Sequence, residues 1–134
     1  MRKLLVDSSV WINFLKDNVT LESSFLEKNL DKFEIFTCPI IIQEVLQGIN
    51  SDQEFYQIKS YFDNLTRLDD DPYDIALKAA SLYRKLRKAG KTIRKANDCL
   101  IAIYSIENSI PLLHNDRDFD FIATEVELQN ISLN

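Results

Sequence analysis

Glycine is nearly missing from this chain: its 134 residues contain two, Gly48 and Gly90. A GxGxxG dinucleotide loop or a Walker A phosphate loop cannot be built from them, since both need several glycines within a few positions to bring backbone onto phosphate. Any phosphate chemistry must therefore rest on metal. Histidine occurs once, at His114, which removes the two-histidine acid–base pair that would cleave RNA without an ion. Cysteine occurs twice, at Cys38 and Cys99, and one histidine with two cysteines falls short of the four ligands of a structural zinc. Each cysteine stands among apolar neighbours, which reads as a small core residue and not as half of a disulfide. No run of about 18 apolar residues is present to span a bilayer. The opening MRKLLVDSS meets an aspartate too early for a signal peptide. A soluble, cytoplasmic protein with no membrane partner is expected.

What is there is enough for a real core. Hydrophobic residues make up 46% of the chain, a length and composition that fit one domain over residues 1–134. No repeat, low-complexity segment or linker interrupts it. The formal charge is −5, but it is unevenly spread. Lys78, Arg84, Lys85, Arg87, Lys88, Lys91, Arg94 and Lys95 are half of the 16 basic residues, and no acid lies among them, so residues 78–95 carry +8 and the remainder −13. Such a block invites a polyanion despite the acidic total. Its plain alternative is a solvated helix face. The position of the block, ending just before Asp98, favours a phosphate-backbone groove involving Lys85, Lys88, Lys91, Arg94 and Lys95.

Strand and helix patterns alternate along the chain. Leu4 to Val6 is a short apolar run suited to a central parallel strand, and Asp7 ends it. Ser8 and Ser9 open a helix with Val10, Trp11, Phe14 and Leu15 on one face. Leu21 to Leu30 reads as a second helix, Phe33 to Thr37 as a second strand, and Pro39 as the first turn of a third helix. On that third helix Gln43, Glu44 and Gln47 form one polar stripe in an otherwise apolar segment. Asp52 to Leu65 is a further helix, Thr66 to Leu68 a weak strand, and Pro72 to Ala89 a long helix stopped at Gly90. From Leu100 to Ile106 nearly every residue is apolar, so the helix that Asp98 opens must start inside the protein. Pro111 to Leu113 reads as a buried strand delivering His114, Asn115, Asp116 and Asp118. A turn of helix over Phe119 to Ala123 and a final strand over Leu128 to Leu133 complete the pattern. The expected class is α/β, a short central parallel sheet flanked by helices in three layers.

In such a sheet Asp7 and Asp116 stand at C-terminal strand ends, where α/β folds place ligands, and helices can point Glu44 and Asp98 at them. Taken singly, each acid has a plainer role: Asp7 and Asp98 as helix N-caps, Glu44 as part of a solvated stripe. Taken together, four carboxylates repel unless a hard cation such as Mg²⁺ relieves them, and such an ion would activate water and stabilise a departing oxygen. The run Asp116-x-Asp118-x-Asp120 also suggests a calcium loop, but Phe121 occupies the position where that loop needs its turn glycine.

The segments KLLVDSSVWINFL, IIIQEVLQG and GKTIRKANDCLIAIYSIENSIPLLHNDRDFDFIA resemble, in order and spacing, the PIN-domain family, and within it the VapC-type toxins of bacterial type II toxin–antitoxin pairs. The likeness covers essentially the whole chain and is weakest over residues 50–75. It implies a PIN-like fold and a magnesium-dependent endoribonuclease, with Mn²⁺ as a possible substitute. Its catalytic, metal-holding quartet falls on Asp7, Glu44, Asp98 and Asp116. Asp118 is implied as an auxiliary, and Ser9 as the small polar residue that orients the first aspartate or a coordinated water. An RNA substrate, a homodimer and a cognate antitoxin protein are implied with it. Two alternatives stand beside this reading. A phosphorelay receiver domain is also a small α/β fold with an acidic magnesium pocket, but it expects an acidic pair after the first strand, where Asp7 is followed by Ser8 and Ser9. A PIN-like module without activity, binding only RNA or protein, is the other, and the intact quartet argues against it.

Overall fold

Leu4, Leu5 and Val6 have no exposed surface, and a strand apolar on both faces belongs in the middle of a sheet. The computed structural model, which describes residues 1–131 and residue 133, puts it there. Strand β1 (Arg2–Val6) lies between β2 (Phe33–Thr37) and β4 (Leu112–Leu113), and β3 (Thr66–Arg67) pairs on the far side of β2. All pairings are parallel, with Leu4 opposite Ile35 and Val6 opposite Leu113. Parallel neighbours need crossover connections, and these are supplied by helices. They are α1 (Ser8–Leu15), α2 (Leu21–Asn29), α3 (Pro39–Leu46), α4 (Asp52–Phe62), α5 (Pro72–Lys88) and α6 (Asn97–Asn108), while α7 (Arg117–Ala123) follows β4. All four strands therefore end at one edge, and the residues that follow them share it.

Local chemistry explains the helix ends. Thr20 and Ser23 bond reciprocally as a capping box at the start of α2, Ser51 caps α4, and Pro39 starts α3, where its missing N–H costs nothing. Ser109 closes α6 in the left-handed region at φ 52°, and the hydroxyl of Ser105 donates to the Ile110 carbonyl at 2.5 Å, turning the chain into β4. Helix α6 is buried at Asp98, Cys99, Ile101, Ala102, Ile103, Tyr104 and Ser105, so its start does lie inside the protein. On α1, Trp11 is 1% exposed and meets Phe62 edge to face at 5.1 Å between centroids. This contact fixes the helix that carries Ser8 and Ser9. Cys38 and Cys99 are both free and buried.

Two expectations need correction. The final strand over Leu128 to Leu133 is reduced to one parallel bridge between Asn130 and Leu112, because β4 is two residues long and its outer edge offers only Leu112, which accepts from Ile131 and donates to Gln129. Ser132, within that expected strand, lies outside the described residues. Asp98 does not open α6 as a cap: the helix begins at Asn97 after Ala96, and no side chain caps it. Asp98 is free for another role.

Candidate metal centre

The backbone N–H of Asp7 donates to the Leu113 carbonyl at 2.9 Å, which sets the end of β1 beside the end of β4. Asp7 caps α1: its Oδ2 accepts from the Ser9 N–H at 3.1 Å and from the Ser9 hydroxyl at 2.5 Å. The same hydroxyl accepts from the Asn115 N–H at 3.0 Å, so Ser9 ties the Asp7 turn to the loop after β4. In that loop Asp116 caps α7 by accepting the Asp118 N–H on Oδ1 at 2.9 Å. Asp118 in turn accepts the Lys95 N–H on Oδ2 at 3.2 Å. Its side chain and that of Asp98 on α6 are each 1% exposed.

Asp98, Asp116 and Asp118 each bring a carboxylate oxygen to within 4.8 Å of the other two. Asp7 adds its charge to this group: it is, after burial, the largest influence raising Asp98. Glu44 stands outside the group of three. Half-buried on α3, it accepts the Ser8 hydroxyl on Oε1 at 3.0 Å and so approaches through the residue next to Asp7. Asp118, expected as an auxiliary, is in the closest cluster.

The carboxylates do not titrate alike. Burial, then Asp7, pushes Asp98 up to about 8, with Lys95 opposing and Asp116 adding to the rise. Burial also raises Asp7, against the two bonds from Ser9 and the charge of Lys95. Burial would raise Asp116 too, but the Lys95 ammonium and the Asp118 N–H outweigh it and hold Asp116 below its ordinary range. Three oxygens in this small space, Asp7 Oδ1, Asp98 Oδ2 and Asp118 Oδ1, are buried without a hydrogen-bond partner. Buried polar atoms are nearly always satisfied, and a carboxylate oxygen left bare among other carboxylates is what a cation would complete. The donors are all oxygen, which suits a hard divalent ion. Cys99, next to Asp98, offers no thiolate, because burial and the neighbouring Asp98 and Asp118 push it up to about 11. Asp116 as a helix cap, with α7 following at once, leaves no twelve-residue calcium loop.

Arg94 and Lys95, expected in a basic groove, instead face the acids. Lys95 Nζ lies 2.7 Å from Asp116 Oδ2 and 4.0 Å from Asp98 Oδ2. Arg94 Nη2 lies 3.3 Å from Asp116 Oδ1, and its Nε lies 3.9 Å from Asp118 Oδ1. Attraction to the clustered carboxylates explains this better than the charge run does.

Residues 4–125 match the model of the PIN domain family. The chain belongs to that family. It is 33% identical over 132 residues to the VapC ribonuclease Mb1587 of Mycobacterium bovis, across 96% of this chain and 98% of that one. The same identity and coverage hold for ribonuclease VapC11 of Mycobacterium tuberculosis. Among solved structures, VapBC-1 from nontypeable Haemophilus influenzae superposes with a TM-score of 0.72 at 20% identity over 97% of both chains. VapBC2 from Rickettsia felis, bound to a promoter DNA fragment, gives 0.72 at 17% over 96% of this chain and 98% of its own. At those identities the likeness is one of fold.

Two features of this PIN domain escaped sequence reasoning. Ser8 is the donor that holds Glu44, and nothing in a Ser-Ser pair says which hydroxyl reaches across to α3. His114 accepts the Asp116 N–H on Nδ1 at 3.2 Å, while its Nε2 stands 3.5 Å from Asp120 Oδ1. The ring thus braces the turn carrying Asp116. Its spacing two residues before that aspartate was the available signal.

Proposed function

We propose that this PIN domain is a metal-dependent endoribonuclease, the toxin of a type II toxin–antitoxin pair. It would hydrolyse RNA phosphodiester bonds with Mg²⁺ or Mn²⁺ at the acidic cluster. The observation that carries the reading is the set of three buried, partnerless carboxylate oxygens at the strand-end edge of the sheet. The relatives named as VapC ribonucleases support the activity, and the VapBC structures support an antitoxin partner. Asp98, Asp116 and Asp118 would hold the ion with Asp7 beside them, and Glu44 is held in reserve by Ser8. A bound ion supplies positive charge to the phosphoryl oxygens and lowers the pKa of water. The chain's own residues keep the carboxylates oriented: Ser9 fixes one oxygen of Asp7 and leaves the other bare, and His114 braces Asp116. A homodimer in the cytoplasm belongs to the same reading; among the described residues no helix is long and apolar enough to cross a membrane.

The test is cleavage of single-stranded RNA by the purified protein. Cutting is expected with Mg²⁺ or Mn²⁺, arrest with excess EDTA, and recovery when the ion is restored. Full activity in EDTA would overturn the proposal, and RNA binding without cutting under any ion would leave an inactive binding module. In cells, expression of the wild type should arrest growth while Asp7→Asn is tolerated.

The basic helix offers a second measurement. Helix α5 buries Ile75, Ala79, Leu82 and Leu86 and exposes Arg84, Lys85, Arg87 and Lys88. Lys85 donates to the Glu125 carbonyl at 3.0 Å and Lys91 to Thr124 Oγ1 at 2.5 Å, so both fasten the end of α5 to the segment after α7. Arg84 and Lys88 form no ion pair among the described residues and are the better probes of RNA contact. Each phosphate neutralised on a single strand contributes about −0.7 to the log–log salt slope. The double variant Arg84→Glu, Lys88→Glu should flatten that slope by about 1.4, and an unchanged slope would make this face merely solvated.

A further inference from the structure

The cation that most closely approaches the acidic cluster belongs to the chain itself. Each oxygen of Asp116 is already engaged: Oδ2 by the Lys95 ammonium at 2.7 Å, Oδ1 by the Asp118 N–H at 2.9 Å and by Arg94 at 3.3 Å. Asp98 Oδ2, Asp118 Oδ1 and Asp7 Oδ1 accept no hydrogen bond. Of the carboxylates that would hold an ion, Asp116 is the one with both oxygens already hydrogen-bonded, and it holds the shortest contact with a cationic side chain. The Lys95 ammonium also sits 4.0 Å from Asp98 Oδ2, so a divalent ion and this ammonium would compete for the same negative potential.

We propose that Lys95 is an internal counter-ion that divalent metal must displace, and that the displaced ammonium then contacts the RNA phosphate. This rests on the nuclease reading above. The main chain at Lys95 cannot follow its side chain away. Its N–H is bonded to Asp118, Ile93 two residues earlier is 3% exposed in the core, and Lys91 is tied to Thr124. The side chain itself is 43% exposed and has an open route to solvent. Release therefore swings a tethered ammonium from the carboxylates to the mouth of the site, where it would meet an incoming RNA phosphate. Metal and RNA thus bind cooperatively through one side chain, and by linkage each must favour the other equally.

The test measures Mn²⁺ affinity by calorimetry on the full chain, without RNA and with an uncleavable 2′-O-methyl oligoribonucleotide. Lys95→Met and Lys95→Gln should both bind Mn²⁺ alone more tightly than wild type, by about tenfold. Lys95→Arg, which keeps the charge, should stay near wild type. In wild type the oligonucleotide should tighten Mn²⁺ binding, and in the two neutral variants this tightening should shrink by about the same factor. Folding of each variant is followed by circular dichroism, and agreement between the Met and Gln variants excludes a local packing effect. Equal or weaker Mn²⁺ binding by both neutral variants would overturn the displacement while leaving the nuclease reading intact. No Mn²⁺ binding by any of the proteins would overturn both.

Discussion

Asp98→Asn is expected to abolish RNA cleavage, by 100-fold or more, while making the metal-free protein more stable. Two properties usually lost together should move apart, because Asp98 is held at about 8 by burial and by Asp7 and Asp116. With a folded pKa above its unfolded value, the acid is compatible with the fold when protonated. Its contribution is intact below the unfolded value of 3.8 and is lost as pH rises through about 8. At pH 5 in EDTA the folded wild type carries a neutral Asp98 but its unfolded chain is already ionised, so the loss has begun and asparagine, similar in shape and also neutral, should give only a small advantage. At pH 9 the wild type carries a buried charge that the variant lacks, and the variant should be more stable by something on the order of 1 kcal/mol. Urea unfolding in EDTA at the two pH values, beside cleavage in Mg²⁺, checks both halves. If Asp98→Asn cleaves RNA as wild type does, or if its stability advantage is the same at both pH values, the acid has been misread.

Asp118→Asn should lower Mn²⁺ affinity at least tenfold, with cleavage falling in parallel at sub-saturating ion. Asparagine can still accept the Lys95 N–H that Asp118 Oδ2 now accepts, so the loop should keep its position. What disappears is the charge, and with the amide oxygen taken by the Lys95 N–H the unpartnered Oδ1 position becomes an amide nitrogen, which cannot coordinate an ion. Mn²⁺ affinity is read by calorimetry and fold by thermal melting. Wild-type affinity in this variant would move the ion toward Asp7 and Glu44, on the side held by Ser8.

The strands, the helix order and the positions of Asp7, Asp98 and Asp116 were legible because each rests on a local pattern: an apolar run ending in an acid, or an all-apolar helix behind one. The PIN-domain resemblance was legible for the same reason, since its three blocks lie on those elements. What was not legible depends on where side chains reach once the elements pack. The run from Lys78 to Lys95 looks like one basic face, yet the helix rotation leaves Arg84 and Lys88 to solvent and the loop turns Arg94 and Lys95 onto the acids. Leu128 to Leu133 reads as a strand in sequence, but pairing needs a partner edge, and two residues of β4 supply one bridge. That Asp118 lies in the group with Asp98 and Asp116 while Glu44 is held at 3.0 Å by the Ser8 hydroxyl depends on tertiary contacts that no local pattern shows.

The seam between the two ends of the chain has a consequence for how the protein is made. Strand β1 must wait for β4, and Ser9 must wait for Asn115, a hydrogen bond spanning 106 positions. Closing so long a loop comes late in folding, after local helices and the β1–β2 pair have formed. A chain still being synthesised can carry Asp7 and Glu44 in folded structure, but it has no Asp116 or Asp118 to set beside them. The acidic cluster therefore cannot assemble until Asp116 and Asp118 have been made. A product lacking residues beyond Ile110 would hold only Asp98 of the three clustered acids.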